Sequence, residues 1–331
     1  MGSDLDIAAA MPGRNVLVTG GTGFVGLNLL RRLSAMGARV HVLTRPQSRL
    51  ERVRDIGADL EVRVADLGDE RSLAQVFDKS APDFVFHLAT PRGNDAMAWR
   101  RLTEFNVQAA LHLTGQLMRA PQTRLVVAGS SLEYGPNAAP HRETDALSPV
   151  TWHGVGKAAA DMIYGRAAAT QALNINRLRL FHVYGPWESA HRLLPVAIRA
   201  AFSGRPVPFT ASPIRRDWIY VEDVVDVLLA AAISPVQGEA FNIGSGAEFS
   251  NEDIVAAVEE STGRRIVLSH GAYQSSPSDA EHRCADIGKA RMQLGWRPRH
   301  DLASGVAETI KWYRNRPDVW DGDETDKPHH V

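Results

Sequence analysis

The sequence predicts an α/β protein in which a doubly wound parallel sheet is followed by a smaller C-terminal domain. Three observations carry that expectation. Short apolar, β-branched runs alternate with longer amphipathic stretches through the first half of the chain, the pattern of strands covered on both faces by crossover helices. The first of these runs leads straight into glycines at Gly20, Gly23 and Gly26. After Gly185-Pro186 the alternation gives way to shorter elements, with prolines and glycines over residues 204–213.

Taken in order, residues 1–13 (MGSDLDIAAAMPG) read as a loose leader without the basic start and sustained apolar run of a secretory signal. Val16–Thr19 is the first strand and Leu27–Met36 the first helix. The glycines between them leave nothing larger than hydrogen beside a tight turn. Backbone N–H groups and a positive helix end then face the position of a pyrophosphate, the physical basis of dinucleotide binding. Val40–Leu43, Leu60–Val64, Phe84–Leu88 and Arg124–Ala128 are further buried strands, with a long helix over Ala98–Met118. A helix over Val155–Thr170 precedes the strand Ile175–Leu180. Right-handed crossovers between such strands build a Rossmann-type sheet over residues 14–186, to which residues 217–243 are expected to return. Residues 187–216 and 244–314, which include Asn251–Thr262 as a helix, form the smaller substrate-binding domain, and 315–331 a flexible acidic end.

The 331 residues are 44% hydrophobic and 23% charged, enough for a well-buried core. A net charge of −1 with no long basic run argues against a nucleic-acid partner. Cys284 is the one cysteine, so neither an internal disulfide framework nor a cysteine zinc site is expected, and no metal is predicted. No apolar run is long enough to span a membrane. A cytoplasmic location is the expectation.

An NAD-preferring site places an acid at the end of the second strand to bind the ribose hydroxyls. Thr44-Arg45 stands there instead, with no carboxylate to repel a 2′-phosphate and a guanidinium to pair with one, so NADP is favoured and NAD is the alternative. Arg45 could equally be a solvated surface charge. Asp66-Leu67, after the third strand, would position the adenine edge, or Asp66 would cap a helix. His153 and Lys157, four residues apart, share a helix face, and Ser130 ends a strand. A hydroxyl, an acid and a lysine beside a nicotinamide make a hydride-transfer site, in which the first two polarise a carbonyl and the third anchors ribose.

Residues 14–314 resemble an extended short-chain dehydrogenase/reductase, the branch acting mostly on nucleotide sugars. GGTGFVG matches its glycine loop and HLAT (His87–Thr90) its fourth-strand motif. AGSSLEYG, RLRLFHVYGP, RRDWIYVEDVV, FNIGSG and LGWRP follow in the family's order. The resemblance implies cofactor contacts from Gly20, Thr22, Gly23, Phe24, Val25 and Gly26, and from Leu88, Ala89 and Thr90. It places Ser130 at the catalytic Ser/Thr position and Lys157 at the catalytic lysine, and implies a homodimer. Arg216, Asn242 and Arg283 fall in segments that grip the nucleotide diphosphate, while Ser131 and His182 lie on the substrate side, His182 either helping His153 or filling space.

One departure stands out: the family's Tyr-x-x-x-Lys is here His153-x-x-x-Lys157. Histidine starts near pKa ~6.5, and lysine and nicotinamide charges would lower it, leaving a neutral imidazole that hydrogen-bonds a carbonyl. The other reading is a silenced site. The Asp-Glu pair of nucleotide-sugar dehydratases is replaced by Ser131 and Leu132, and Glu133, one step along a strand, should face the other way. Dehydration and decarboxylation are therefore not expected. GSSLEYG with ETDALSPVTWHGVGKAAAD is similar to enzymes that reduce GDP-4-keto-6-deoxymannose. The expectation is NADPH-dependent reduction of a nucleotide-linked 4-keto-6-deoxyhexose; the alternatives are an NAD-dependent 4-epimerase and a catalytically silent NADP-binding sensor or partner protein.

Overall fold

The structure is a computed structural model and describes residues 3–48, 50–54, 56, 60–91, 97–136, 140–210, 214–273 and 282–316. The chain runs α1 (Ser3–Ala10), β1 (Asn15–Thr19), α2 (Phe24–Ala35), β2 (Arg39–Thr44), α3 (Glu51–Arg54), β3 (Leu60–Val64), α4 (Glu70–Ser80), β4 (Phe84–His87), α5 (Ala98–Arg119), β5 (Arg124–Ser130), α6 (Trp152–Gln171) and β6 (Ile175–Leu180). Then come β7 (His182–Tyr184), α7 (Leu193–Ser203), β8 (Val207–Thr210), β9 (Arg215–Tyr220), α8 (Val221–Ile233), β10 (Ala240–Ile243), β11 (Glu248–Ser250), α9 (Asn251–Thr262), β12 (Leu268–Tyr273), α10 (Gly288–Leu294) and α11 (Leu302–Arg314).

The main sheet has seven strands in the order β10-β6-β5-β4-β1-β2-β3, and every pairing within it is parallel. Alternation along each strand feeds two separate cores. In β1, Val16 and Val18 pack with α2 and α8 residues, while Leu17 packs with α4 and α5 residues on the other face. The winding reverses between β1 and β4, and the carboxyl ends of those strands open the crevice in which such sheets bind ligands. The strand Ala240–Ile243 becomes β10, the edge partner of β6, although five elements separate the two in sequence.

A three-stranded sheet, β11-β9-β7, and the pair β12-β8 build the smaller unit with α7, α9 and α11 around a third core. The chain start departs from the expected loose leader. Residues 3–10 are helical, and Ile7 and Met11 are buried in the core beside α8. The apolar IAAAM stretch is too short to read as a helix from periodicity, but it is long enough to cover α8. Residues 317–331, expected to belong to a flexible end, lie outside the described residues.

Candidate functional site

The crevice begins at the glycine turn. Gly20 has φ +73°, and a Cβ there would meet the backbone of Leu88 and Ala89 at 2.6 Å. A Cβ on Gly26 would lie 2.2 Å from the Gly20 carbonyl oxygen. Only glycine lets the turn, helix α2 and the Leu88–Thr90 segment close together. Gly23 caps α2 with no side-chain hydrogen bond, leaving the first N–H groups of the helix open to an anion. The hydroxyls of Thr44 and Thr90 are buried with no hydrogen-bond partner among the described residues. Bare helix N–H groups and two waiting hydroxyls at the ends of β2 and β4 fit a dinucleotide's pyrophosphate and riboses. Arg45 is exposed just beyond β2. Asp66 is exposed and bonds the Gly68 N–H at 2.9 Å, while Asp69, not Asp66, caps α4. Leu67 is buried and offers its carbonyl to His112.

Ser130 ends β5 and caps a 3-10 turn over Ser131–Glu133. Its Oγ accepts from the Leu132 N–H at 3.2 Å, which leaves the hydroxyl hydrogen to be donated. Thr151 caps α6 through the Gly154 N–H and holds the turn that carries His153. Lys157, one turn further, is buried and donates to the Ala128 carbonyl at 2.7 Å. Burial lowers the Lys157 ammonium to about 8, with Glu133 opposing the drop. His153 is half-buried. Desolvation first, then the charges of Lys157 and Arg192, pull it down to about 4. Beneath them, His87 is lowered to about 3 by burial and by Lys157. The Thr19 hydroxyl accepts from the Ala89 N–H and lies 2.7 Å from His87 Nδ1, so it donates to an unprotonated nitrogen.

His182, on β7, stands 4.1 Å from the Trp218 ring, and burial with Arg192, Arg216 and Arg283 holds it neutral. The Arg192 charge bears on both His153 and His182. Ser131 is buried in the 3-10 turn.

Asn242 is fully buried, its side-chain oxygen accepting from the Tyr134 hydroxyl (2.7 Å) and its amide donating to the His141 carbonyl (2.9 Å). One expectation fails. Glu133 does not lie on a strand, so the strand argument about its facing does not apply. The turn folds its carboxylate back, one oxygen accepting from the Ser130 N–H at 2.7 Å and the other paired with Arg179 at 3.1 Å. Asp161, one turn beyond Lys157, binds Arg179 at 2.8 Å and Arg177 at 3.1 Å. The i+4 spacing of Asp161 from Lys157 and the two-residue spacing of Arg177 and Arg179 on β6 were the available signals. No His/Cys/Asp/Glu cluster suited to a metal occurs among the described residues, and no described helix is long and apolar enough to cross a membrane.

Comparison with known proteins adds three relatives and one family. The NAD dependent epimerase/dehydratase family matches residues 16–244. A UDP-glucose 4-epimerase of Mycolicibacterium smegmatis is 27% identical, covering 91% of this chain and 98% of its own length. A dTDP-glucose 4,6-dehydratase of Salmonella typhimurium is 26% identical over 90% of this chain and 92% of its own. Among solved structures, an epimerase of Methanothermobacter thermautotrophicus superimposes with a TM-score of 0.86 at 28% identity, covering 96% of this chain and 97% of that one.

Proposed function

The chain belongs to the NAD dependent epimerase/dehydratase family, and we propose that it reduces the C4 carbonyl of a nucleotide-linked 4-keto-6-deoxyhexose with NADPH. The observation that carries this reading is the state of His153. An imidazole held near pKa 4 by desolvation, Lys157 and Arg192 is a poor base for removing an alcohol proton, because general bases work best near the operating pH. The same positive surroundings make its N–H a better donor to an oxyanion, as with other neutral catalytic histidines.

A bound nicotinamide supplies the hydride that adds to C4. The Ser130 hydroxyl and the His153 N–H hold the oxygen as negative charge develops on it. The Lys157 ammonium, fixed to the Ala128 carbonyl, adds a positive charge behind them and is the group for the cofactor ribose. The product alkoxide takes its proton from solvent entering the cleft, while the His153 N–H holds the oxygen by a hydrogen bond. Arg216 and Arg283 are the side chains for the substrate diphosphate, since their forked donors match phosphate oxygens. The Glu133 carboxylate is committed to Ser130 and Arg179, so the turn offers no acid and base for elimination. Thr44 and Arg45 are the groups for a 2′-phosphate.

Epimerisation is the second reading, favoured by the UDP-glucose 4-epimerase relative; it needs His153 to accept a proton. The test follows NADPH and NADH oxidation against GDP-, dTDP-, UDP- and CDP-linked 4-keto-6-deoxyhexoses. Stoichiometric NADPH consumption with one of them, lost by about 10²–10⁴-fold in His153→Phe, is expected. Interconversion of 4-epimers without net cofactor consumption would replace reduction with epimerisation. An unchanged rate in His153→Phe would remove the histidine from the chemistry.

A further inference from the structure

Glu133 is fully buried at the back of the site, where the catalytic turn, α6 and β6 meet. Its carboxylate fills the space that a Cβ on Gly129 would need, 2.7 Å away. One oxygen takes the N–H of Ser130 itself; the other takes Arg179, which Asp161 holds from α6. Arg179 also donates to the Tyr134 hydroxyl at 2.7 Å, so the clamp is tied to the edge strand β10 through Asn242. Glu133, Lys157 and Asp161 line one small interior cavity together with His87, Asn106, Tyr164 and Arg177.

We propose that Glu133 is a positioning residue with two tasks: it sets the backbone from which the Ser130 hydroxyl projects, and it supplies the negative charge that keeps the buried Lys157 an ammonium. The inference rests on Ser130 and Lys157 being the working groups of the proposed function.

The charges around Lys157 explain why a further anion matters. His87 on β4 faces it as a neutral ring and His153 on its own helix as another. Asp161 on α6 is engaged by Arg177 and Arg179 from β6. The Ala128 carbonyl on β5 contributes only a dipole. Glu133 is the carboxylate whose charge opposes the loss of the Lys157 proton. Burial and Asp161 raise Glu133 itself to about 7, while Arg179 and the Ser130 N–H resist that rise. The clamp therefore carries its charge from neutral pH upward, the range in which Lys157 would otherwise deprotonate.

The experiment compares wild type, Glu133→Gln and Glu133→Asp. NADPH binding, and NADH binding in parallel, is followed by nucleotide fluorescence between pH 6 and 10, which needs no sugar substrate. Wild-type affinity is expected to fall above pH about 8 as Lys157 loses its proton. In Glu133→Gln that midpoint should move down by about one unit with the thermal melt still cooperative. An unmoved midpoint overturns the charge assignment, whether or not the protein proves to be a reductase.

Glu133→Asp keeps the charge but draws it back from Ser130. It should bind cofactor with the wild-type midpoint while turnover on the identified sugar drops at least tenfold. Wild-type turnover in Glu133→Asp overturns the positioning of Ser130. If no sugar is turned over by wild type, the reductase reading fails and the cofactor titration still decides the role of Glu133. If Glu133→Gln does not fold, the Asp variant decides, because a midpoint moved down despite its retained carboxylate contradicts the proposal.

Discussion

Replacing a phenol with an imidazole changes which species can do the work, and the neighbours decide the rest. Near pKa 4, His153 is neutral throughout the physiological range, so its part is to donate a hydrogen bond. Its partner in that task is the Ser130 hydroxyl. Ser130→Ala should lower turnover by about 10²–10³-fold, the usual loss for one oxyanion donor, with cofactor affinity unchanged in a fluorescence titration. At the glycine turn, Gly26→Ala puts a methyl 2.2 Å from the Gly20 carbonyl oxygen. It should abolish cofactor binding and cost about 1–3 kcal/mol of stability in urea unfolding. The shared helix face of His153 and Lys157 and the tight glycine turn were legible in the sequence because each depends on local spacing. The roles of Glu133, Asp161 and Asn242 were not, since their partners come from other elements. Asn242 is such a case: its motif position suggested a ligand role, and the structure adds Tyr134 and His141 as partners from distant elements.

The two long helices behind the site carry the next expectation. α5 and α6 pack on each other, yet leave Leu111, Met118 and Met162 at 54%, 56% and 67% exposure. Exposed apolar side chains on two adjacent helices suit a second copy of the chain in an isologous contact. Sedimentation should give a dimer, and a Leu111→Glu/Met162→Glu double variant should sediment as a monomer. Periodicity revealed both helices but not their first turns. α6 begins at Trp152, earlier than the expected Val155, because the Thr151 side chain caps it. α2 likewise begins at Phe24, where the glycine turn ends. The 3-10 turn over Ser131–Glu133 left no periodic signature, which is why a strand was expected there.

Across the whole molecule, buried titratable groups oppose one another. His87, His153 and His182 sit below their ordinary range, so the unfolded chain binds protons that the native state refuses. Their contribution is complete above pH about 6.5 and is lost as pH falls toward their folded values. Glu133 and Glu188, raised to about 7 and about 8 chiefly by burial, work the other way. They favour the native state increasingly as pH falls through those values. Wild-type stability should therefore change little between pH 7 and 5. His87→Asn removes one opposing proton, and relative to wild type it should gain about 1.4 kcal/mol per pH unit below 6.5. Denaturant titrations of both proteins at pH 7 and 5 measure that slope. The doubly wound architecture was legible because the β-α alternation repeats. The smaller unit was less so, because β7, β8 and β11 are short and find their partners far along the chain.

The placement of β10 also bears on how a ribosome can deliver this protein. β6 finishes at Leu180, but its outer neighbour is not made until Ala240–Ile243. While the intervening residues are being synthesised, the nascent sheet presents β6 as an open edge to anything that can add a strand. Chains stopped short of Ile243 should therefore be captured by holdase chaperones or aggregate. Chains that pass it can close the edge and fold before the last helix has left the exit tunnel.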